Sequence, residues 1–471
     1  MKKVIFFLLA VALALGGIIF AHAAVTNSQE ELLVYPTVQV GDPGVLAGRS
    51  VSMTITCGEH LRWLTDYPFG GEAVTEFVYD RKGTQPPRTI THGNMDVWFT
   101  GGLSSSVSGG EFAPSASEYG ALLQAVANET PAGGSTTREL PVSDYVNYYM
   151  PDYQLRYEDD SKQCHQSASL HSFLVGEQWY ENTGCYVALM QLFRFPVQPG
   201  HVMSVTVEKD DMGRIVGIDL SPEDNSPELH FLSDVTAEGV WFIPVFRSGS
   251  GDPLPYESPA GHGIYFIPWM HNDRYLWTEG EKEPVTPNVK KTALRFPLDE
   301  GLRIEHMLID GEGGTAQMLT LEAGMYVLTT CDLESGEVRS RLELLPQDSG
   351  TLNTGAWFQQ MGDYLLIVLQ DRLALTDAAG ERLYLTAPDV RDQRFGAAYC
   401  DPDTGDLRFD GETLILTGTT WYQEGTFWAA AWRQGELTFY GEYDCSIMRG
   451  NDNWYYSYVT AEEYPINLDS R

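Results

Sequence analysis

The segment from 259 to 281, PAGHGIYFIPWMHNDRYLWTEGE, gathers side chains that could act on a ligand. A histidine, a carboxylate and an arginine that lie close together can transfer protons or hold an anion, and exposed aromatic rings can stack on sugars. Core and rim positions that alternate along two strands would give the same pattern of aromatic residues. We expect any ligand pocket to involve these residues: His262, Trp269, His271, Asp273, Arg274 and Trp277.

A second group of reactive side chains contains Cys164, His165 and His171, with Cys185 downstream. Two thiolates and two imidazoles could bind zinc in a tetrahedral site, but this spacing fits no recognised zinc-finger pattern. In an exported protein, two cysteines that are close in sequence favour a disulfide. We therefore predict a disulfide between Cys164 and Cys185, among the six cysteines of the chain, and no metal site.

The segment DPDTGDL, from 401 to 407, resembles the start of a calcium loop, and Glu412 occupies its twelfth position. The pattern fails at the centre, because Gly405 stands at a ligand position and Asp406 stands where the sharp turn needs glycine. The segment is also similar to CDLESGEV at 331–338, which lacks the calcium spacing. We interpret both as polar turns between strands.

Motifs for catalysis and for cofactors are absent from the sequence. It contains no G-x-S-x-G nucleophile turn, no H-E-x-x-H zinc motif and no phosphate-binding loop. The glycine-rich segments 248–251 and 311–314 do not open a helix, as a phosphate site would require. We predict no catalytic residue and no cofactor.

The N-terminus has the features of an export signal. Lys2 and Lys3 precede an apolar run from Val4 to Phe20, and Ala21-His22-Ala23 fits a signal-peptidase site. We predict a signal peptide over 1–23, followed by a linker over 24–44. An uncleaved anchor formed by residues 4–20 is the alternative, and both place the remaining chain outside the cytoplasm.

The charge of the chain excludes some partners. There are 65 acidic and 30 basic residues, which give a net charge of −35. Such a surface repels nucleic-acid backbones and anionic lipids, so we expect no nucleic-acid partner and membrane contact only through the N-terminal segment. The partner is instead expected to be an extracellular ligand or an envelope protein.

Most of the chain consists of short β-type runs that end in turns with Gly, Asp or Pro. In each pair of runs, a left-handed glycine closes the hairpin and an aspartate often begins the turn. The predicted hairpins cover 77–90, 205–220, 324–346, 363–388, 397–418 and 427–443.

One region, 101–161, does not follow this pattern. It is rich in Ser and Gly, and residues 115–128 have helical spacing, with Ser115 and Glu118 as a capping box. We interpret the region as an insertion in which one short helix lies between flexible linkers.

Weak internal repeats predict the fold. GVWFIPV (239–245) matches GIYFIPW (263–269), and the two RFP segments at 194 and 295 are 101 residues apart. Gly336, Gly380 and Gly435 are separated by 44 and 55 residues, close to the period of a four-stranded propeller blade. We predict an all-β fold, a β-propeller over 45–465 with about seven blades or eight. Two or three β-sandwich domains are the alternative.

These observations predict an exported, non-catalytic β-propeller that binds or senses an extracytoplasmic ligand or a protein partner. Two other functions fit the same residues. One is an extracytoplasmic carbohydrate-active enzyme with paired carboxylates, and the other is a structural protein of the cell envelope. The fold does not decide among the three, because propellers serve all of them.

Overall fold

The protein is described here by a computed structural model that covers most of the chain. The described residues are 2–29, 34–57, 61–79, 105–149, 153–158, 162–168, 189, 191–222, 227–271, 283–310, 314–347, 357–369, 372–388, 400–401, 406–420, 426–445, 459–460 and 467–470.

Two helices and thirty-two strands are present in these ranges. The helices are α1 (Lys2–Gln29) and α2 (Glu118–Glu129). The strands are β1 (Val34–Gly41), β2 (Arg49–Cys57), β3 (Leu61–Pro68), β4 (Val74–Tyr79), β5 (Ser105–Phe112), β6 (Ser135–Pro141), β7 (Tyr148–Tyr149), β8 (Tyr153–Glu158), β9 (Lys162–Ala168), β10 (Phe195–Pro196), β11 (Val202–Lys209), β12 (Ile215–Pro222), β13 (Glu228–Thr236), β14 (Gly239–Arg247), β15 (Gly263–His271), β16 (Glu283–Pro287), β17 (Ala293–Pro297), β18 (Arg303–Ile309), β19 (Thr315–Glu322), β20 (Met325–Asp332), β21 (Glu337–Pro346), β22 (Trp357–Met361), β23 (Tyr364–Val368), β24 (Arg372–Asp377), β25 (Leu383–Pro388), β26 (Cys400–Asp401), β27 (Leu407–Phe409), β28 (Thr413–Thr420), β29 (Thr426–Arg433), β30 (Glu436–Cys445), β31 (Val459–Thr460) and β32 (Asn467–Ser470).

The chain divides into two compact units. Unit 1 contains Met1–Thr89, Gln359–Ala378 and Leu383–Arg471, and unit 2 contains Ile90–Phe358 and Ala379–Arg382. Helix α1, in unit 1, includes the window Val4–Ala21, whose mean hydropathy is 2.9. By length and composition this window could cross a membrane, as an anchor or a signal sequence would. Export and cleavage stay predictions.

Unit 1 joins the two ends of the chain in shared sheets. The N-terminal strand β1 pairs antiparallel with β30, in a sheet of order β1-β30-β29-β28-β26. The C-terminal strands β31 and β32 both pair with β2, beside β3 and β4. The segment 24–44 is therefore not only a linker, because it supplies the strand that completes the last large sheet.

Aromatic packing holds β3 of one of these sheets against β29 and β30 of the other, within unit 1. The rings of Tyr443 on β30 and Phe427 on β29 stack with centroids 4.8 Å apart. Tyr67 on β3 approaches Tyr443 to 5.4 Å, and both rings belong to one core with Trp63. Aromatic pairs of this kind add about 0.5–1.5 kcal/mol to the free energy gained by burying their area.

Unit 2 contains sheets that are stacked in chain order. A four-stranded sheet, β5-β12-β11-β6, shares a core with the larger sheet built on β13-β14-β15, and that sheet shares a second core with β18-β19-β20-β21. Strand β14 shows the arrangement, since all nine of its residues are buried. Val240 and Phe242 face the first core, whereas Trp241 and Ile243 face the second.

This arrangement is that of a propeller. A sandwich would leave one face of each sheet in water, whereas both faces of β14 are covered by neighbouring sheets. Successive four-stranded antiparallel sheets, with a terminal strand that completes the last one, define a β-propeller. The predicted all-β propeller class is confirmed, and the number of blades stays a prediction.

The region 101–161 contains more regular structure than we expected. Helix α2 is present, capped by Ser117 rather than Ser115, and its predicted apolar face is buried. The segments on either side are not linkers, because β5 and β6 form the outer strands of the sheet with β11 and β12. Lys209 on β11 also donates to the carbonyls of Ala127 and Thr130 at the end of the helix.

Most of the predicted hairpins are present. The turns after β11, β20, β24 and β29 join consecutive antiparallel strands. Aspartates begin two of them as predicted: Asp210 Oδ1 accepts the backbone N–H groups of Met212 and Arg214, and Asp332 Oδ1 accepts that of Ser335 at 2.8 Å. Of the first predicted hairpin, 77–90, only the residues of β4 are described.

The prediction of a hairpin turn at 401–405 is wrong. Strands β26 and β27 do not pair with each other, because both pair with β28 on the same side. The turn lies instead between β27 and β28, where Asp410 Oδ1 accepts the backbone N–H groups of Glu412 and Thr413. Residues 402–405 lie outside the described part of the chain.

The predicted repeats have two different origins. The 24-residue match relates β14 and β15, which are neighbouring strands of one sheet and not two blades. The 101-residue match corresponds to a shared local contact: the RFP segments place Arg194 over the ring of Tyr148 and Arg295 over the ring of Phe266. In both copies the glycine five residues after the RFP phenylalanine has a left-handed φ, near +80°.

Two turn glycines, Gly380 after β24 and Gly435 after β29, lie close to a strand of the preceding sheet. A Cβ on Gly380 would lie 2.8 Å from Thr330 Oγ1, and a Cβ on Gly435 would lie 2.6 Å from the carbonyl of Thr386. Ser340 Oγ also donates to the carbonyl of Gly380 at 2.9 Å. Glycine is required here by its positive φ and by the close approach.

Candidate functional site

The six residues predicted to form a ligand site do not come together among the described residues. His262 precedes β15, whereas Trp269 and His271 lie at the far end of that strand. Nine residues of extended chain span about 30 Å. Asp273, Arg274 and Trp277 lie outside the described residues. Ligand binding by these residues stays a prediction, but His262 and His271 belong to different places.

Trp269 has a structural contact in unit 2. Its Nε1 donates to the carbonyl of Thr236 at 3.1 Å, and its ring packs against the core. The residue pairs with Pro287 on β16. This geometry matches the interpretation that the aromatic residues alternate between core and rim.

His262 lines a pocket in unit 2 that opens to solvent, and the space between its walls, open solvent included, is about 480 Å³. The walls come from the end of β14, the segment 253–256, the start of β15 and the segment 298–304. We name it the arginine pocket, because Arg247 and Arg303 both line it.

The start of β15 sets one side of the arginine pocket. The rings of His262 and Tyr256 have centroids 4.3 Å apart, and His262 Nε2 lies 3.7 Å from Glu300 Oε1. Burial raises the pKa of Tyr256 well above its ordinary value, so the phenol stays neutral. Gly263, at φ +149°, lets the strand pass close to the carbonyl of Phe296, where a Cβ would clash.

The inner wall carries two arginines, Arg247 and Arg303, and both contact Glu305, which is not among the residues that line the pocket. Arg303 Nε lies 2.6 Å from Glu305 Oε1, and Arg247 Nη2 lies 3.4 Å from Glu305 Oε2. Arg247 also donates to the carbonyl of Ile304. The side chains are only 9% exposed for Arg247, 16% for Arg303 and 11% for Glu305, so their charges are poorly screened.

The pKa shifts around this wall follow from burial and from the two arginines. Burial lowers the pKa of Arg247, and Glu305 opposes that shift. The pKa of His230, on β13, falls to about 4, first because of burial and then because of the positive charge of Arg247. His230 is therefore neutral at physiological pH.

The rim of the pocket has the opposite charge. Asp299 and Glu300 lie in the turn that leads into β18, and the side chain of Glu300 is 62% exposed. The pocket thus combines two guanidinium groups inside with two carboxylates at the opening.

Sequence reasoning found His262 but missed Arg247, Arg303 and Glu305. A usable signal was present, since Arg303 and Glu305 alternate along β18 and so share one face of a half-buried strand. Charged residues on a strand are ordinarily solvent-exposed, so this pattern alone provided no reason to place Arg303 and Glu305 in a site.

The predicted metal and cysteine sites are only partly described. No group of metal-binding side chains occurs among the described residues. Cys164 lies on β9, but Cys185 is outside the described ranges, so their disulfide stays a prediction. Cys331 is free and buried, which raises the pKa of its thiol to about 12. The six cysteines therefore form at most two disulfides.

Comparison with known proteins extends only to the fold. No family model and no curated protein matches the sequence. The chain is similar to the β-propeller domain of Cps50 (Swd1) from Myceliophteria thermophila (11% identity, 50% of this chain, 81% of that chain, TM-score 0.21). It is also similar to the WD40 domain of coronin from Toxoplasma gondii (9%, 75%, 76%, 0.22) and to a protein from Lactobacillus plantarum (10%, 72%, 96%, 0.23). These similarities concern the fold and not the function.

Proposed function

We propose that this protein is an exported, non-catalytic β-propeller that binds an extracytoplasmic ligand or partner through the arginine pocket. The observation that carries the proposal is a pocket whose inner wall is built from buried charges on two different strands, β14 and β18. Burying charged groups costs free energy, and a binding role for these arginines would account for that cost.

The carboxylates in and beside the pocket suit a binding role better than glycoside hydrolysis. That reaction needs one carboxyl group in an apolar place, where it stays protonated, and a second opposite it. Both oxygens of Glu305 face an arginine, and Glu300 is largely exposed. Neither carboxyl group lies in such an apolar place, which supports a binding role.

Helix α1 and the surface charge support the extracytoplasmic location. The apolar window Val4–Ala21 at the start of the chain suits an export signal or an anchor. The net charge of −35 keeps such a protein soluble and away from nucleic acids.

One expression experiment tests the location. The full chain, produced with its own N-terminus in a bacterial host, should be recovered outside the cytoplasm. Intact mass should show a chain that begins at Ala24, or an uncleaved chain in the membrane fraction. Recovery of the full-length chain in the cytoplasm would contradict export.

A second experiment tests binding without catalysis. The purified protein is screened by thermal unfolding against sugars, amino acids and organic acids, and any compound that raises Tm is then incubated with the protein and followed by NMR. We expect a raised Tm and an unchanged compound. Consumption of the compound would instead indicate an enzyme, and no shift with any compound would favour a structural envelope protein.

A further inference from the structure

We infer that the arginine pocket binds a zwitterionic amino acid, with its carboxylate at Arg247 and Arg303 and its ammonium group at the rim. This inference rests on the proposed function and names the class of ligand.

The charges on the inner wall are both positive. They are the guanidinium groups of Arg247 and Arg303, whereas Glu305, which both contact, is not among the lining residues. Glu228, opposite Arg247 in the pairing of β13 with β14, is exposed, so solvent screens its charge. An anionic group that enters the pocket would therefore meet two guanidinium groups.

His230, on β13, adds no positive charge beside these arginines near physiological pH. Burial, and then the positive charge of Arg247, lower its pKa to about 4. The positive charges that an anionic ligand would meet in the pocket are therefore those of Arg247 and Arg303.

Arginine determines the chemical class of the anion. Its planar guanidinium matches the two oxygens of a carboxylate and forms paired, charge-assisted hydrogen bonds. Both arginines are held by contacts within the protein: Arg247 by the carbonyl of Ile304, and Arg303 by Glu305. Groups fixed in this way lose little entropy when a ligand binds.

The rim selects what the carboxylate is attached to. Asp299 and Glu300 repel a ligand that carries only negative charge and attract an ammonium group. A multiply charged phosphate would meet this repulsion at the opening. A molecule with one carboxylate and one ammonium group satisfies both ends of the pocket.

The test uses a homologous series in which the distance between the two charges increases: glycine, β-alanine, γ-aminobutyrate and 5-aminovalerate. Alkyl carboxylates and alkyl amines of matching length serve as controls, with glucose as a neutral compound. Binding is measured by calorimetry on the full-length or mature protein. We expect one amino acid of the series to bind best, the matching carboxylate to bind more weakly and the matching amine not to bind.

Two variants locate the site. Arg247→Lys retains the charge but loses the paired geometry, and it should weaken binding of the best amino acid by about 30-fold. Glu300→Gln, at an exposed position that folding tolerates, should weaken the amino acid but strengthen the alkyl carboxylate. Glu139→Gln removes an exposed charge on β6, away from the pocket, and should change neither.

Other results would overturn the inference in distinguishable ways. Binding of glucose that Glu300→Gln leaves unchanged would exclude the zwitterion while the proposed binding function stands. An amine that binds as tightly as the amino acid would exclude the role of the arginines. No binding by any member of the series would exclude amino acids of this kind, and the broader screen would still decide the proposed function.

Discussion

Three largely buried histidines of unit 2 should make the protein lose stability as the pH falls. Burial lowers the pKa of His201, and it lowers those of His230 and His306 to about 4, compared with the ordinary 6.5. Below pH 6.5 an unfolded histidine binds a proton while these folded ones stay neutral. Acid therefore favours unfolding, from about pH 6.5 down to about pH 4.

The substitution His306→Leu isolates one of these groups. The imidazole of His306 lies 4.6 Å from the ring of Phe358, so a leucine of similar size can replace it. The difference between a pKa of 6.5 and one of about 4 corresponds to about 3 kcal/mol. When the pH falls from neutral to 4, the free energy of unfolding should therefore decrease by about 3 kcal/mol less in the variant than in the wild type.

The assay is urea unfolding, followed by tryptophan fluorescence, at a series of pH values. Met307→Leu is the control, since Met307 is the buried neighbour and carries no proton that titrates. Asp234, whose pKa burial raises, works in the opposite direction, but it is common to all three proteins and cancels. A difference between His306→Leu and the wild type that does not change with pH would refute the reasoning.

Two further predictions concern the sheets. Gly435→Ala should lower the free energy of unfolding by about 2–3 kcal/mol, because of its left-handed φ and the nearby carbonyl of Thr386; Gly336→Ala, whose surroundings are open, should cost only about 1 kcal/mol in the same urea assay. Deletion of residues 24–41 should expose the edge of β30 and lower Tm, and a peptide covering 34–42 should restore it where a scrambled peptide does not. Equal losses for the two glycines, or a deletion that leaves Tm unchanged, would contradict these expectations.

The sequence was sufficient for features that depend on neighbouring residues. Hairpin turns were visible because glycine and aspartate at a turn act within a few positions, as at Asp332 and Gly435. The apolar face of α2 was visible for the same reason. Strand β5, SSVSGGEF, was missed because it contains few apolar residues and is held by its pairing with β12.

Features that depend on distant residues could not be predicted in this way. The segment 24–44 was interpreted as a linker because its partner strand is far away in sequence: the hydroxyl of Tyr35 donates a hydrogen bond to Asp444. The arginine pocket was only partly predicted: His262 was identified, but Arg247 and Glu305 come from strands 58 positions apart in the sequence. Charges on two such strands reveal a shared site only after the sheets are stacked.

The pairing of β1 with β30 has a consequence for biogenesis. If α1 directs export, β1 crosses the membrane long before its partner β30, since Tyr35 and Asp444 are 409 positions apart. Until β30 has crossed, β1 is an unpaired strand of the kind that aggregates. On that condition, we expect folding to be completed only after β30 has crossed, and export to depend on holdase chaperones that shield β1.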